Sequence, residues 1–385
     1  MLCEFAKPDF GQAERDAVNR VLAGSWLAAG PENEAFEREF AAYVGAKYAV
    51  CVNSGSSGNL LALASLALPR GSRVLTSACG FPATLAPILH LGLEPVLVDY
   101  DLTTLNIDVG QVLEKVKDVE AILFAHTLGN PVDMPKLRPC FEKGIPIIED
   151  CCEALGTKIQ DVWPVSVGTY GQLGTFSFYP SHQITALGGG GMVVTDNPSL
   201  VRKMKSMRDW GKLVPEGYRQ GEVLTTYEGG YYPGYTYETV GFNFKLPDAN
   251  AAFGRVQLTR LAEFSRLRQK HYYHLWRSLK DVSWLHPAPA TSQSQTSWFG
   301  YPLVLREGSR DAFGTYLEAH EIRHRPFFAG NILRHKPFQH LGRAEDFPVA
   351  DYLMKNACFV GVWQGLTIAH LDYMVETIRG WTPTT

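Results

Sequence analysis

The chain has 385 residues, of which 45% are apolar and 19% are charged, and its formal net charge is −3. This composition is typical of a folded globular protein and excludes a disordered or fibrous one. A weakly acidic chain lacks the basic field that attracts nucleic acid or an anionic membrane surface, so we expect neither partner.

Targeting signals and metal-binding patterns are both missing from the sequence. No run approaches 18 consecutive apolar residues, and the start, MLCEFAKPDFGQAERD, has acids where a signal peptide needs an apolar core. We therefore expect a cytoplasmic protein. The seven cysteines form no C-x-x-C pair, which argues against a disulfide framework or a zinc site. We predict that the protein binds no metal.

The first 200 residues alternate between helical and extended patterns. Helix-like stretches such as FGQAERDAVNRVLAG and ENEAFEREFAAYVG accompany seven short apolar runs: YAVCVN, RVLTS, EPVLVDY, EAILFAH, IPIIED, GTFSFY and GMVVT. Such runs, separated by helices, predict an α/β fold with a mostly parallel sheet covered on both faces. Ligands bind at the carboxyl ends of the strands in these sheets. The polar residues that follow the runs are therefore the candidate site residues.

The second half of the chain has a different pattern. Residues 212–245 are rich in tyrosine and glycine without helical periodicity, which predicts a long ordered loop with a binding role. A long helix, PDANAAFGRVQLTRLAEFSRLRQKHYYHLWRSL, follows it. The remainder mixes a strand, WFGYPLVL, with the helices RDAFGTYLEAH and HLDYMVETIRGW. We expect a smaller α+β domain there.

Three short segments carry candidate chemistry. Ser54 to Ser57 lie between a strand and a helix, where backbone N–H groups and hydroxyls can hold a phosphate, although plain helix capping explains the same residues. Asp150 ends the IIED strand, either as a structural acid or as a partner that keeps a pyridine nitrogen protonated. Ser177 is followed five positions later by His182, which could also be an ordinary loop histidine. A pyridoxal-phosphate fold needs these segments in this order.

The whole chain resembles a known family. The matching stretches are FEREFAAYVGAKYAV, NSGSSGNLLAL, GFPATLAPILHLGLEPVLVDYD, AHTLGNPVDM, IEDCCEALG, TFSFYPSHQIT, RDWG, YTYETVGFNFKLPDANAAFGRVQL, SWFGYPLVL, FFAGN and GLTIAHLDYM. They resemble the DegT/DnrJ/EryC1/StrS sugar aminotransferases, which are fold-type I pyridoxal-phosphate enzymes, and within them the nucleotide-sugar 3-dehydratases that use pyridoxamine phosphate. The resemblance implies a large cofactor-binding domain over residues 1–250 and a small C-terminal domain over residues 251–385.

The resemblance also implies the cofactor and its binding residues. The cofactor is pyridoxamine or pyridoxal 5'-phosphate. Ser56, Ser57 and Ser177, with Gly55, would hold its phosphate, Phe81 would stack on its ring, Asp150 would pair with the ring nitrogen and Glu153 would lie near its 3-hydroxyl. Asn243 would reach the phosphate of a neighbouring subunit, which implies a homodimer with shared active sites. Arg325, Phe327, Asn331 and the tyrosine-rich segment would face a nucleotide sugar.

His182 stands where the aminotransferases carry the lysine that binds the cofactor covalently. Imidazole does not form that bond, so the cofactor can remain as free pyridoxamine phosphate. An imidazole that titrates near neutral pH is also suited to taking up one proton and giving it to a departing hydroxide. The resemblance therefore implies loss of the C3 hydroxyl from a nucleotide-linked 4-keto-6-deoxy sugar in deoxysugar biosynthesis.

The chain departs from this pattern in two places. Related enzymes that act on CDP-sugars hold an iron–sulfur cluster with one cysteine after the strand-end acid and a C-x-C-x7-C group beyond RDWG, whereas here Cys152 matches the first and the sequence after Gly211 has no cysteine before Cys358. We expect no iron–sulfur cluster and a route in which L-glutamate supplies the amine. Gly189 replaces an acid of the relatives, with no evident reason.

Several alternatives remain open from the sequence. The surrounding stretches are most similar to the CDP-type enzymes, so the base and the hexose are undecided. A related pyridoxamine-phosphate-dependent aminotransferase or isomerase could act on another keto sugar. A catalytically inactive sugar-binding homologue is a third possibility, although decay would not be expected to retain Phe81, Asp150 and Ser177 together.

Overall fold

The computed structural model describes residues 1–214 and 235–383. The α-helices in these ranges are α1 (Gln12–Gly24), α2 (Pro31–Val44), α3 (Gly55–Ser65), α4 (Pro82–His90), α5 (Val109–Lys115), α6 (Arg138–Glu142), α7 (Pro198–Arg208), α8 (Asp248–Leu279), α9 (Arg310–Ala319), α10 (Pro348–Asn356) and α11 (Ile368–Gly380). The strands are β1 (Tyr48–Val52), β2 (Arg73–Ser77), β3 (Glu94–Val98), β4 (Tyr100–Asp101), β5 (Asn106–Ile107), β6 (Ala121–Ala125), β7 (Ile147–Asp150), β8 (Lys158–Gln160), β9 (Pro164–Ser166), β10 (Leu173–Ser177), β11 (Gly191–Thr195), β12 (Leu285–His286), β13 (Ser294–Gln295), β14 (Gly300–Leu305), β15 (His324–Pro326) and β16 (Ala357–Gly361). No helix of the described residues is both long and apolar enough to cross a bilayer.

A central sheet of seven strands, in the order β1-β11-β10-β7-β6-β2-β3, determines where the site lies. Within this sheet, the pairs β10–β7, β7–β6, β6–β2 and β2–β3 are parallel, whereas β11 is antiparallel to both β1 and β10. Six strands therefore share one direction, and their carboxyl ends lie at one edge. The seven apolar runs of the sequence form these seven strands.

The central strands are hydrophobic because both faces of the sheet are covered. All residues of β7, β10 and β11 are buried. One core cluster packs α3 and α7 against the sheet, and another packs α2, α5 and the first half of α8 against it. This is the arrangement expected of near-continuous apolar strands in a parallel sheet.

The C-terminal part contains a separate antiparallel sheet in the order β12-β14-β16-β15. Helix α8 crosses residue 250, where we expected a domain boundary, because it begins at Asp248 and continues for 32 residues. Its early residues Leu258 and Leu261 join the core beneath the central sheet, whereas Tyr272 and Leu275 join the C-terminal core. The division into domains of 1–250 and 251–385 stays a prediction. Within the tyrosine-rich segment, residues 215–234 lie outside the described residues.

The start of α8 stabilises the start of α2. The buried carboxylate of Asp248 accepts hydrogen bonds from the backbone N–H groups of Gly30, Glu32 and Asn33 at 2.8, 3.2 and 3.1 Å, and from the Asn33 side chain at 2.7 Å. A helix N-terminus leaves such N–H groups without partners inside the helix. Asp248 therefore links two distant parts of the chain through α2.

Replacing Asp248 with alanine should destabilise the fold. We expect Asp248→Ala to lower the free energy of unfolding by about 3 kcal/mol, because buried donors lose their acceptor. Urea unfolding of the protein without cofactor measures this change. Asp372→Ala is the matched control, since Asp372 is exposed and, among the residues that the structure describes, pairs only with His274. Its cost should stay below about 1 kcal/mol. Equal losses in the two variants would contradict the role given to Asp248.

Candidate functional site

A cavity of about 660 Å³ lies at the edge where the parallel strands end. The segments that follow β1, β2, β6, β7 and β10 all contribute to its wall, and the segment before β11 closes one side. The cavity lining includes the predicted site residues Gly55, Ser56, Phe81, Asp150, Glu153, Ser177, His182 and Arg325. The fold thus brings together residues that are far apart in the sequence, from Gly55 to Arg325.

The N-terminus of α3 forms one end of the cavity. Ser54 caps this helix, and its Oγ accepts the Ser57 N–H at 3.1 Å and donates to the Ser57 hydroxyl at 3.0 Å. Ser57 is therefore used in the cap and does not line the cavity, whereas Ser56 does. A Cβ on Gly55 would lie 2.7 Å from both Cys152 Sγ and Ser177 Cβ. Glycine at 55 thus permits the close approach of this helix to the ends of β7 and β10.

Asp150 is held in one orientation at the floor of the cavity. Its Oδ2 accepts hydrogen bonds from Asn59 Nδ2 at 2.7 Å and from Thr84 Oγ1 at 2.8 Å, and its Oδ1 accepts the Cys152 N–H at 3.1 Å. Sequence reasoning did not identify Asn59 and Thr84. Both lie near the starts of helices that follow sheet strands, which is the signal that could have indicated them.

Phe81 lines the same cavity as Asp150 and lies between β2 and α4. Its side chain is 60% exposed although it lines the cavity. An aromatic ring left open in a cavity can stack on a planar ligand. The geometry is compatible with the ring-stacking role that the sequence predicts for Phe81.

The floor also contains a buried histidine–carboxylate pair. His126 Nδ1 accepts the Val132 N–H at 2.9 Å, so its Nε2 carries the proton and donates to Glu149 Oε2 at 2.9 Å. Glu149 also accepts the N–H groups of Gly168 and Gly171. Together with Cys151 these side chains could surround a cation, but their hydrogen bonds already account for His126 and Glu149. We interpret the group as structural.

Glu153 lies deep in the cavity and is a weaker acid than usual. Burial raises the pKa of its carboxyl to about 8, and the charge of Asp150 adds to the effect, against a hydrogen bond from the Leu128 N–H. That bond, to Oε2, measures 2.6 Å. Glu153 is therefore mostly protonated at neutral pH, and a protonated carboxyl can donate a hydrogen bond to a ligand.

His182 lies on the turn after β10, with its ring facing the cavity. Its Nδ1 lies 3.3 Å from the carbonyl oxygen of Tyr179, which can only accept, so Nδ1 carries the proton and Nε2 keeps a free lone pair. The ring stacks on Phe299, with centroids 5.2 Å apart. Burial lowers the pKa of His182 to about 4, opposed by the bond to Tyr179. The imidazole is therefore neutral at pH 7, as a general base must be.

The far side of the cavity differs from the sequence prediction. Arg325, Phe328 and Ala329 line it, but Phe327 and Asn331 do not. Phe327 packs in the core and is 1% exposed. The Asn331 side chain accepts the Leu333 N–H and donates to Ala344 and Asp351. Both side chains have contacts inside the fold, and a role of these two residues in binding a substrate stays a prediction.

Two remaining predicted residues stand at different places. Ser177 lines the cavity, and its Oγ accepts the Tyr179 N–H at 3.3 Å. Asn243 is exposed, pairs through its backbone with Asp209, and lies outside the cavity lining. A residue contributed to a neighbouring subunit would lie outside its own cavity. The role of Asn243 in a homodimer stays a prediction.

A family model for the DegT/DnrJ/EryC1/StrS aminotransferases matches residues 8–379. The chain belongs to this family. The family includes pyridoxal-phosphate-dependent sugar aminotransferases and 3-dehydratases. The predicted fold-type I architecture and the resemblance to the nucleotide-sugar 3-dehydratases are both confirmed.

Two curated relatives in the DegT/DnrJ/EryC1/StrS family extend over nearly the whole chain. The lipopolysaccharide biosynthesis protein RfbH of Salmonella typhimurium is 38% identical, over 95% of this chain and 88% of that protein. A dTDP-4-dehydro-2,6-dideoxy-D-glucose 3-dehydratase of Saccharopolyspora spinosa is 36% identical, over 95% and 84% respectively.

Solved structures of one enzyme superpose closely on this chain. GDP-4-keto-6-deoxymannose-3-dehydratase, as a histidine-to-asparagine variant with bound GDP-perosamine, gives a TM-score of 0.89 at 27% identity and covers 98% of this chain and 100% of that one. The same enzyme with a trapped PLP-glutamate geminal diamine also gives 0.89 at 27% identity, over 97% and 99%. These structures share the fold of this member of the DegT/DnrJ/EryC1/StrS family.

The raised pKa of Glu153 predicts a pH-dependent stability. Its folded pKa of about 8 exceeds the ordinary value near 4.3, so the folded state binds the proton more tightly and loses this stability as pH rises from about 4.5 to 8. Glu153→Gln keeps an acceptor for the Leu128 N–H but cannot ionise. Relative to the parent protein, we expect its free energy of unfolding to be higher at pH 8 than at pH 5, by up to about 3.5 kcal/mol.

Urea unfolding of the cofactor-free protein at pH 5 and pH 8 tests this expectation. Glu376→Gln is the control, because Glu376 is exposed on α11. Its replacement should change the free energy of unfolding by the same amount at both pH values. A Glu153→Gln variant with the same change at both pH values would show that Glu153 is an ordinary acid.

Proposed function

We propose that this chain is a pyridoxamine-phosphate-dependent dehydratase that removes the C3 hydroxyl of a nucleotide-linked 4-keto-6-deoxy sugar without an iron–sulfur cluster. The observation that carries the proposal is His182, a neutral imidazole in the cavity, at the position where a covalently binding lysine would stand in an aminotransferase. The two curated or solved relatives named as 3-dehydratases support the same reaction class.

The residues present fit a pyridine ring with a phosphate. The N-terminus of α3 attracts an anion because its backbone N–H groups and helix dipole point toward it, and the close packing of Gly55 leaves the approach open. We assign the phosphate to this helix end, with Ser56 and Ser177, and with Ser57 acting through the cap. Phe81 would cover one ring face and Asp150 would accept a hydrogen bond from the ring nitrogen.

Bound pyridoxamine phosphate would supply a primary amine that reacts with ketones and a protonated ring that withdraws electrons from carbon. The chain would supply the proton transfers. His182 Nε2 would accept a proton beside the bound sugar and then donate it to the hydroxyl that leaves C3. Glu153, protonated, would donate a hydrogen bond within the same cavity. The ring of Phe299, stacked behind the imidazole, would keep water from that side.

The source of the amine and the assembly belong to the same proposal. L-glutamate is the proposed amino donor, supported by the glutamate adduct described for GDP-4-keto-6-deoxymannose-3-dehydratase. Overall, one keto sugar and one glutamate would give one 3-deoxy sugar, 2-oxoglutarate and ammonia. We propose a homodimer in which the exposed Asn243 completes the neighbouring site, and a cytoplasmic location where nucleotide sugars are made.

An assay with defined substrates tests the reaction. Purified protein, pyridoxamine phosphate and L-glutamate are incubated with GDP-, CDP- or dTDP-linked 4-keto-6-deoxyhexoses, and mass spectrometry follows the sugar. We expect one of them to lose one oxygen atom, with 2-oxoglutarate and ammonia formed in equal amounts. Omission of glutamate should limit the yield to the pyridoxamine phosphate supplied.

The other outcomes of this assay are equally informative. An amino sugar that keeps all its hydroxyls would identify an aminotransferase, and a rearranged ketone of unchanged mass would identify an isomerase. Unchanged sugar with every substrate would favour a binding protein. Each of these results would contradict the dehydratase.

Two substitutions at His182 test its role. We expect His182→Lys to bind pyridoxal phosphate covalently, with a new absorption band in the near ultraviolet or visible range. This variant should lose dehydration, because the cofactor is then attached to the lysine and has no free amine for the sugar. His182→Asn should bind the cofactor without this band and lower kcat by roughly 100-fold or more, since the proton carrier is gone. Full dehydration by either variant would remove His182 from the mechanism.

A further inference from the structure

Arg268 is a buried cation close to the candidate site. It belongs to α8, and only 1% of its surface is exposed. Its guanidinium donates to three neutral oxygens: the His182 carbonyl at 3.1 Å, the Trp298 carbonyl at 3.1 Å and Gln364 Oε1 at 3.2 Å. Among residues 1–214 and 235–383, it forms no ion pair with a carboxylate. The charge is therefore solvated by backbone carbonyls and an amide alone.

Burying a cation without a counterion is costly, and such a group persists where the surrounding structure gains from it. Burial lowers the pKa of Arg268 to about 9, so the side chain still carries its charge at pH 7. A neutral side chain of similar length would avoid this cost. The charge and its hydrogen bonds therefore require an explanation beyond packing.

Two of the three bonds of Arg268 go to the segments that carry the imidazole and its stacking partner, at His182 and Trp298. Phe299, which stacks on the His182 ring, directly follows Trp298. Gln183, which follows His182, donates to the Ser297 carbonyl at 2.9 Å and to the Glu153 carbonyl. The turn that carries the base and the segment that carries its stacking partner are thus fastened together by two neighbouring side chains.

Arg268 also contributes to the electrostatic surroundings of the imidazole, where burial is the largest cause of the lowered pKa of His182. Its charge opposes protonation of His182, whereas the charge of Asp150 and the Tyr179 carbonyl favour it. The further titratable groups that line the same cavity are Tyr100, His126, Cys152, Glu153, Tyr179 and Arg325. The Arg268 cation, which donates a hydrogen bond to the His182 carbonyl, therefore favours the neutral, proton-accepting form of the imidazole.

We propose that Arg268 is a positioning residue, which fixes the turn of His182 against the Trp298–Phe299 segment and places a permanent positive charge next to the base. The inference rests on the proposed function insofar as His182 transfers the proton. It adds a residue that the cavity lining alone would not identify, because Arg268 does not line the cavity.

Two substitutions separate the charge of Arg268 from its geometry. Arg268→Met removes both, and we expect kcat to fall at least tenfold, KM for the nucleotide sugar to stay within about twofold, and the acidic limb of the pH–rate profile to move upward. Arg268→Lys keeps the charge but loses the forked geometry. It should give an intermediate kcat and leave the acidic limb near its parental position.

A second measurement is independent of the reaction. The imidazole of His182 is titrated by NMR in full-length, histidine-labelled protein with and without pyridoxamine phosphate, and its signal is assigned by its loss in His182→Asn. We expect Arg268→Met to raise the apparent pKa of His182 by about one unit, because the opposing charge is gone. Arg268→Lys should leave this pKa nearly unchanged.

Arg208→Lys is the matched control. Arg208 is also buried, but it pairs with Glu37 at 2.7 Å, away from the cavity. This variant should lower the melting temperature without changing the His182 titration or kcat. A merely structural Arg268 would behave in the same way, so the difference between the two variants decides the question.

The proposal is overturned if Arg268→Met folds with the parental kcat and the parental His182 titration. If Arg268→Met does not fold, Arg268→Lys decides, and an unchanged kcat in that variant overturns the proposal. A shifted titration without any dehydration would contradict the reaction but keep the positioning role. Dehydration that is insensitive to Arg268 would contradict the positioning role alone.

Discussion

The common direction of six strands in the central sheet is the constraint from which the candidate site follows. Because β1, β2, β6, β7 and β10 end at one edge, a capped helix, an aromatic ring, a fixed carboxylate and an imidazole reach one cavity from distant parts of the sequence. The antiparallel β11 adds its preceding glycines, Gly189 and Gly190, to the same edge. Each of these features is common in proteins by itself, and the sheet is what brings them together in one cavity.

Burial gives two of the titratable side chains that line the cavity, Glu153 and His182, an unusual joint state. Glu153 tends to keep its proton, whereas His182 tends to lose its own, so at pH 7 both are uncharged. Glu153 can then donate a hydrogen bond and His182 can accept a proton in the same cavity, and neither side chain carries a charge. This is the separation of acid and base roles that enzymes obtain by placing titratable groups in different environments.

Local patterns predicted much of this molecule because they depend on neighbours in sequence. Apolar runs gave all seven strands of the central sheet, and the segments around Asp150, Ser177 and His182 were found from strand ends and spacing. Contacts between distant residues were not predictable in this way. Nothing near Phe327 distinguishes it from Phe328, yet only Phe328 lines the cavity, and Asn331 is occupied by Ala344 and Asp351. Arg268 has no local signature at all.

The unbroken course of α8 joins two of the features described above. Asp248 lies at its first residue and Arg268 lies 20 positions later, a distance of about 30 Å along a straight helix. One residue gained or lost between them would rotate Arg268 by about 100° around the axis, away from the His182 turn. The number of residues between Asp248 and Arg268 therefore fixes both contacts together, because inserting or deleting a single residue there would break one of them.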